Sequence, residues 1–338
     1  MTRLTMLAGV RGTPRASITT SVLVLAVLAV VATPAAAAPT LKAEVNDGTL
    51  HISGSPLAEQ IALRLSAADP NQLQVDVGNN GSADHAFDLS TFRVIDVKSG
   101  SGNDTVLIDQ VNGTFTTTEA TRIDGQNGDD TLIGGSGAEV FLGGNGDDFV
   151  DGNGGVDAAF MGRGDDTFVW DPGDANDLVE GDNGSDTLVF NGAGGNEIMA
   201  ATANGGRVLF TRNLGLIVMD LDEIEVIDVR ALGGTDTVTV NDLTGTDVER
   251  VDVDLAAALG GLAGDGQADA VTVVATNGDD TIAADTNGAA VEVSGLAAFV
   301  RISHADPASD TLIIDTLAGA DDVALDPALA GLILVSVL

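Results

Sequence analysis

An acidic residue returns at a nine-residue interval between residues 125 and 189: Asp130, Glu139, Asp148, Asp157, Asp166 and, after an 11-residue interruption, Asp186. Glycine stands two places before each of them, at Gly128, Gly137, Gly146, Gly155, Gly164 and Gly184. Glycine turns reverse the chain tightly and leave main-chain carbonyls pointing into the turn. A carboxylate beside those carbonyls offers the oxygen ligands that a hard divalent cation prefers, and calcium takes six to eight of them in flexible geometry. One such turn has too few ligands, but two turns stacked about 4.8 Å apart can share an ion.

Other chemistry is poorly supported. Three histidines, His51, His85 and His304, show no HExxH spacing, and neither a GxSxG nor a cysteine nucleophile is present. Carboxylates are so frequent that no pair stands out for acid–base work.

The elements that position the acidic residues follow from the same rows. Two places after each acid comes an apolar residue, at Leu132, Phe141, Val150, Ala159, Phe168 and Leu188. Each row reads as a six-residue turn and a three-residue strand whose middle side chain points inward. Short apolar segments with alternating pattern continue on both sides. They include residues 50–52, 61–65, 73–77 and 94–97, and later triplets starting at Val226, Val238, Val251, Val271, Ile282, Val291, Val300, Leu312, Val323 and Leu332. Worn copies of the acidic row are SGSGNDTVL (99–107, with Asp104), GGTDTVTV (233–240), TNGDDTI (276–282) and LAGADDVAL (317–325). One longer gap holds the loop LGGLAGDGQAD (259–269), and residues 254–259 could form a turn of helix. Evenly spaced short strands suit a sandwich, a barrel or a solenoid, and a gapless nine-residue period favours the solenoid, whose stacked rungs force equal spacing.

Composition agrees. Of 338 residues 44% are apolar but only 3% aromatic, and tyrosine is absent, which fits a thin interior of Val, Leu, Ile and Ala. Cysteine is absent, so disulfides and thiol-based metal sites are excluded. The net charge of −37 argues against nucleic acid and anionic membrane surfaces as partners. Residues 1–38 read as a secretory leader: Arg3, Arg11 and Arg15, an apolar run from Val22 to Ala32, then Thr-Pro-Ala-Ala-Ala-Ala. The apolar run is shorter than the roughly 20 residues needed to span a bilayer, and no membrane span is expected after leader cleavage.

The rows resemble the GGxGxDxUx nonapeptide of RTX, or haemolysin-type, calcium-binding repeats, with GGNGDDFVD (143–151) the fullest match. The resemblance implies an all-β, right-handed parallel β-roll or β-helix solenoid in which two rows make one coil and alternate rows share an edge. It places Asp130, Asp148 and Asp166 on one edge, and Glu139, Asp157 and Ala175 on the other. Calcium is then expected between turns 125–130 and 143–148, and between 143–148 and 161–166. The implied metal residues are Asp130, Asp148 and Asp166, with Gly125, Asn127, Asp129, Gly143, Asn145, Asp147 and Asp165 in the same turns and Asp104, Asp157 and Asp186 in the other rows. Glu139 and the Trp170-Asp171-Pro172-Gly173 interruption depart from the pattern on the second edge.

The expected organisation is a signal peptide (1–38), an N-terminal β segment (39–120), the calcium-binding array (121–190) and a degenerate solenoid (191–338). The expected role is a secreted calcium-binding structural or interaction protein without catalytic activity, its partners calcium and an extracellular polysaccharide or cell surface. A polysaccharide lyase or hydrolase on a parallel β-helix, or a calcium-dependent adhesin, are the alternatives. An enzyme of that kind should gather charged side chains along one face, outside the turns.

Overall fold

The nine-residue rows build strands that alternate between two sheets, as seen in a computed structural model that describes residues 41–338. The leader expected over residues 1–38 lies outside the described residues. In one sheet the strands Ala120–Asn127, Glu139–Asn145, Ala158–Arg163 and Leu178–Asn183 stack in parallel. In the other, Thr131–Ile133, Phe149–Asp151, Thr167–Trp170 and Thr187–Asn191 do the same. One coil therefore spans two rows. The rung register is exact to the repeat: Ile123, Phe141 and Ala159 pair across one sheet, and Leu132, Val150 and Phe168 across the other.

Each of those six side chains is at most 1% exposed. They face one another between the sheets and form part of a hydrophobic core that runs from Leu41 to Ile333. Removing one of the larger of these side chains from water contributes about 1.5–3 kcal/mol, so a one-residue slip of a rung would expose a whole column. The protein is thus an all-β, parallel-stranded roll of two 14-stranded sheets, with no α-helix among the described residues.

The flanks keep the rhythm but not the pure parallel coil. Antiparallel segments enter three times. At the start, Lys42–Asn46 pairs with Thr49–Ser53, and Gln60–Leu65, Gln72–Val77 and His85–Asp88 form a meander. Ile198–Asn204, Arg207–Arg212 and Ile217–Asp222 form a second, and Thr281–Asn287, Ala290–Ser294 and Phe299–Ser303 a third. Glycine turns at Gly205-Gly206 and Gly288 allow the reversals. Residues 41–338 form one compact unit, with both sheets running through all three expected segments. Residues 254–259 are not helical: the strand Arg250–Asp254 ends there and Ala256 forms an isolated bridge with Gly264. The sequence between those two residues is glycine-rich, which favours a loop over a helix.

Trp170 fills the core where the array is interrupted. It is fully buried, stacks on Phe190 at 4.2 Å between ring centroids, and donates its indole N–H to the Ala175 carbonyl at 2.9 Å.

Candidate metal centre

The turn that carries each acid is set by glycine. Gly146 has φ of +121°, and a Cβ there would collide with the Gly128 carbonyl of the rung before it. Only glycine permits both the turn and this close stacking. Gly146 in turn donates its N–H to the Arg163 carbonyl at 2.7 Å, so successive turns are tied directly.

This stacking puts the acids of alternate rows in a column along one edge of the roll. Asp104, Asp130, Asp148, Asp166 and Asp186 are each 1–2% exposed. In every case one carboxylate oxygen accepts a hydrogen bond from the main-chain N–H of the preceding acidic position. Asp130 binds Asp104 at 2.7 Å, Asp148 binds Asp130 at 2.8 Å, Asp166 binds Asp148 at 2.6 Å and Asp186 binds Asp166 at 2.8 Å. The other oxygen, Oδ2, is buried and has no partner in any of the five.

These orphan oxygens point at the glycines that open the rows. A Cβ on Gly125 would meet Asp130 Oδ2 and the Gly143 carbonyl, and one on Gly143 would meet Asp148 Oδ2 and the Met161 carbonyl. Each cradle therefore joins a carboxylate oxygen from one turn to a carbonyl from the next. The turns are those between which calcium is expected. In the third turn Met161 replaces the opening glycine and its side chain is buried, so the space beside Asp166 is differently filled.

Among the described residues no point gathers three acidic or histidine side chains. A cation here would rest on one carboxylate per rung and on main-chain carbonyls. The donor set is all oxygen, and the orphaned buried atoms and the glycine cradles fit a hard cation.

Burial raises the carboxyl pKa values, opposed by the main-chain hydrogen bonds. Asp130, Asp148 and Asp186 are pushed up to about 7 and Asp166 to about 6. Two unit charges one rung apart repel by on the order of 3 kcal/mol at an effective dielectric of about 20. The column therefore cannot be fully ionised at little cost unless positive charge is supplied.

Elsewhere the chain supplies that charge itself. Buried Asp76 is paired with Arg64 at 2.6 Å. Buried Glu197 is paired with Arg212, which also lies 5.2 Å from the Trp170 ring centroid. Among the described residues the column from Asp104 to Asp186 has no such arginine or lysine in contact.

The remaining expected metal residues fall elsewhere. Asp129, Asp147 and Asp165 are exposed and form an outer ladder of opposite sense: Asp129 accepts from Asp147 N–H at 3.1 Å, and Asp147 from Asp165 N–H at 2.9 Å. Asn127 and Asn145 are exposed and bond to one another at 3.0 Å. Asp157 lies on the opposite edge, where it accepts from Glu139 N–H at 2.7 Å and is pushed by burial up to about 9. Asp177, not Ala175, follows Asp157 there and accepts from the Asp157 N–H at 2.8 Å. The Pro172-Gly173 segment lengthens the turn, and register returns where Ala158 pairs with Leu178.

The same motif recurs later on that second edge, beyond the expected array. Glu197 N–H bonds Asp236 at 2.8 Å, Asp236 N–H bonds Asp269 at 2.8 Å, and Asp269 N–H bonds Asp310 at 3.0 Å. The signal was available in the spacing: Asp236, Asp269 and Asp310 each stand two places before a buried apolar residue, Val238, Val271 and Leu312. Asp236 stands two places after Gly234 in the worn row 233–240, but Gln267 and Ala308 hold the glycine place before Asp269 and Asp310, so glycine counting misses those two.

No known protein family and no curated protein matches the sequence. Among solved structures the chain is similar to the crystal structure of the extracellular lipase LipA from Serratia marcescens, at 13% identity and a TM-score of 0.16, over 60% of this chain and 43% of that one. The chain thus spans less than half the length of that enzyme, and so slight a likeness transfers nothing of its activity.

Proposed function

We propose that this is an exported calcium-binding β-roll whose stacked acidic turns order when the ion binds, serving a structural or interaction role. The observation that carries this reading is the column of buried aspartates with one oxygen bonded to the neighbouring rung and the other unpartnered beside a carbonyl. Asp130 with the Gly143 carbonyl, and Asp148 with the Met161 carbonyl, would hold the ions. Calcium would supply the positive charge that Arg64 and Arg212 supply to the other buried acids. Without it the ionised turns repel; at roughly millimolar calcium the ions bridge successive rungs and the coil closes. Asp104 and Asp186 would extend the same row.

Export follows from the leader-like composition of residues 1–38, and an extracellular polysaccharide or cell surface is the partner class that suits an exported acidic roll. A circular dichroism titration from chelator to millimolar calcium tests the coupling. A gain of β signal is expected, and an unchanged spectrum would remove it.

A further inference from the structure

The longest break in the strand rhythm builds a second feature, on a sheet face and away from the aspartate column. The strands Val226–Arg230, Arg250–Asp254 and Phe299–Ser303 are adjacent, parallel and in register. Their outward residues form two charged columns: Asp228, Asp252 and Arg301, then Arg230, Asp254 and Ser303. After Asp254 the chain forms the loop that ends at the strand Ala270–Val274. The loop is held by the Ala256–Gly264 bridge and by Ala257 N–H on the Ala263 carbonyl at 3.0 Å. Loop and charged face together enclose a cleft of about 850 Å³, within the range of about 300–1,000 Å³ for small-ligand sites.

Most charges in the cleft are paired. Arg230 contacts Asp228 at 2.8 Å, Arg250 contacts Asp252 Oδ2 at 3.0 Å, and His304 Nδ1 contacts Asp254 at 2.7 Å. Two groups are not. Asp252 Oδ1 is buried without a partner. Arg301 has no ion pair or side-chain hydrogen bond among the described residues. These two are register partners on adjacent strands, so a free acceptor stands one rung from a free donor. A buried polar atom left unmatched is costly, and a ligand hydroxyl would satisfy it.

The chemistry of the cleft selects its ligand. Four carboxylates (Asp228, Asp252, Asp254 and Asp306) outnumber two guanidinium groups (Arg230 and Arg301) there, and the chain as a whole carries −37, so the cleft disfavours polyanions. The loop adds an apolar wall: Leu262 is 88% exposed and lines the cleft with Ala263. A sugar ring presents hydroxyls at its edge and C–H groups on its face, which matches this division. We propose that the cleft between the 256–266 loop and the Asp252–Arg301 face binds a neutral oligosaccharide, with a ligand hydroxyl donating to Asp252 and another ligand oxygen accepting from Arg301.

The test is isothermal titration of the full chain, at millimolar calcium throughout, with a neutral glucan hexasaccharide, a uronate hexasaccharide and inorganic sulfate as probes. The neutral glucan should bind best. Asp252→Asn and Arg301→Ala should each weaken it by about tenfold or more, a loss of roughly 1.4 kcal/mol, while Lys42→Ala should not. Leu262→Ser, on an exposed loop position that folding does not need, should weaken it as well. Absence of glucan binding, equal binding by all variants, or preference for uronate or sulfate would each overturn the assignment.

Discussion

Asp148 accepts a hydrogen bond from the main-chain N–H of Asp130 at 2.8 Å, yet its second carboxylate oxygen is buried with no partner at all. One half of the side chain ties two rungs together, and the other half is left to something the polypeptide does not provide. A buried carboxylate oxygen is costly to leave unmatched. Its repetition at the same place in five rungs makes it a property of the repeat.

The two acids of each turn should therefore behave differently. Asp148→Asn keeps the shape of the side chain but removes the charge beside the Met161 carbonyl, and calcium affinity should fall by at least about tenfold, or roughly 1.4 kcal/mol. Asp129→Asn alters an exposed ladder and should change affinity by less than about twofold. Calcium titrations of both variants decide this; equal losses would mean that the exposed ladder holds the ion.

Acid and calcium should act as substitutes. Asp130, Asp148 and Asp186 hold their protons up to about pH 7 in the fold, because burial opposes ionisation, against about 3.9 in an unfolded chain. The folded state therefore binds more protons than the unfolded state between about pH 4 and pH 7, and stability without metal falls as pH rises through that window. Calcium requires the ionised form, so its stabilisation grows over the same interval. Melting in chelator should be higher at pH 5 than at pH 8, and calcium should raise it far more at pH 8. A chelated protein that gains stability from pH 5 to pH 8 would contradict this.

The arginine that neutralises buried Glu197 can be removed. Arg212→Met leaves Glu197 buried and unpaired, and should cost about 3–5 kcal/mol, read as a lower melting temperature. Adding Glu197→Gln should restore part of the loss. An Arg212→Met protein as stable as its parent would show that the pair contributes little.

Glycine at the fourth place is required by contact as well as conformation. Gly146→Ala puts a Cβ against the Gly128 carbonyl at φ of +121°, and should destabilise by more than about 1 kcal/mol. Gly194→Ala, where a Cβ has open space and φ is ordinary, should be nearly neutral. Thermal denaturation of the two variants in calcium distinguishes them.

Much of this architecture could be read directly from residue spacing. Apolar positions such as Leu132 and Phe141 mark the inward face of each rung because a strand alternates with period two, and nearly all the apolar triplets of the flanks became strands. The antiparallel meanders were not legible, since a short alternating segment looks the same whichever direction its neighbour runs. Ala175 was the wrong residue because a rigid nine-residue count cannot anticipate how far the Pro172 turn bulges; Asp177 satisfies the Asp157 N–H instead. Arg230, Arg250 and Arg301 are scattered in sequence, and only the registers of three strands bring their neighbourhoods onto one face.

Calcium at the orphan oxygens of Asp130 and Asp148 can be counted. Equilibrium dialysis of the full chain against millimolar calcium at pH 7.5, beside an Asp130→Asn/Asp148→Asn double variant, does so directly. The parent should bind calcium, and the double variant should lose at least two ions per chain. A parent that binds none, or a double variant that binds as many as the parent, would contradict this.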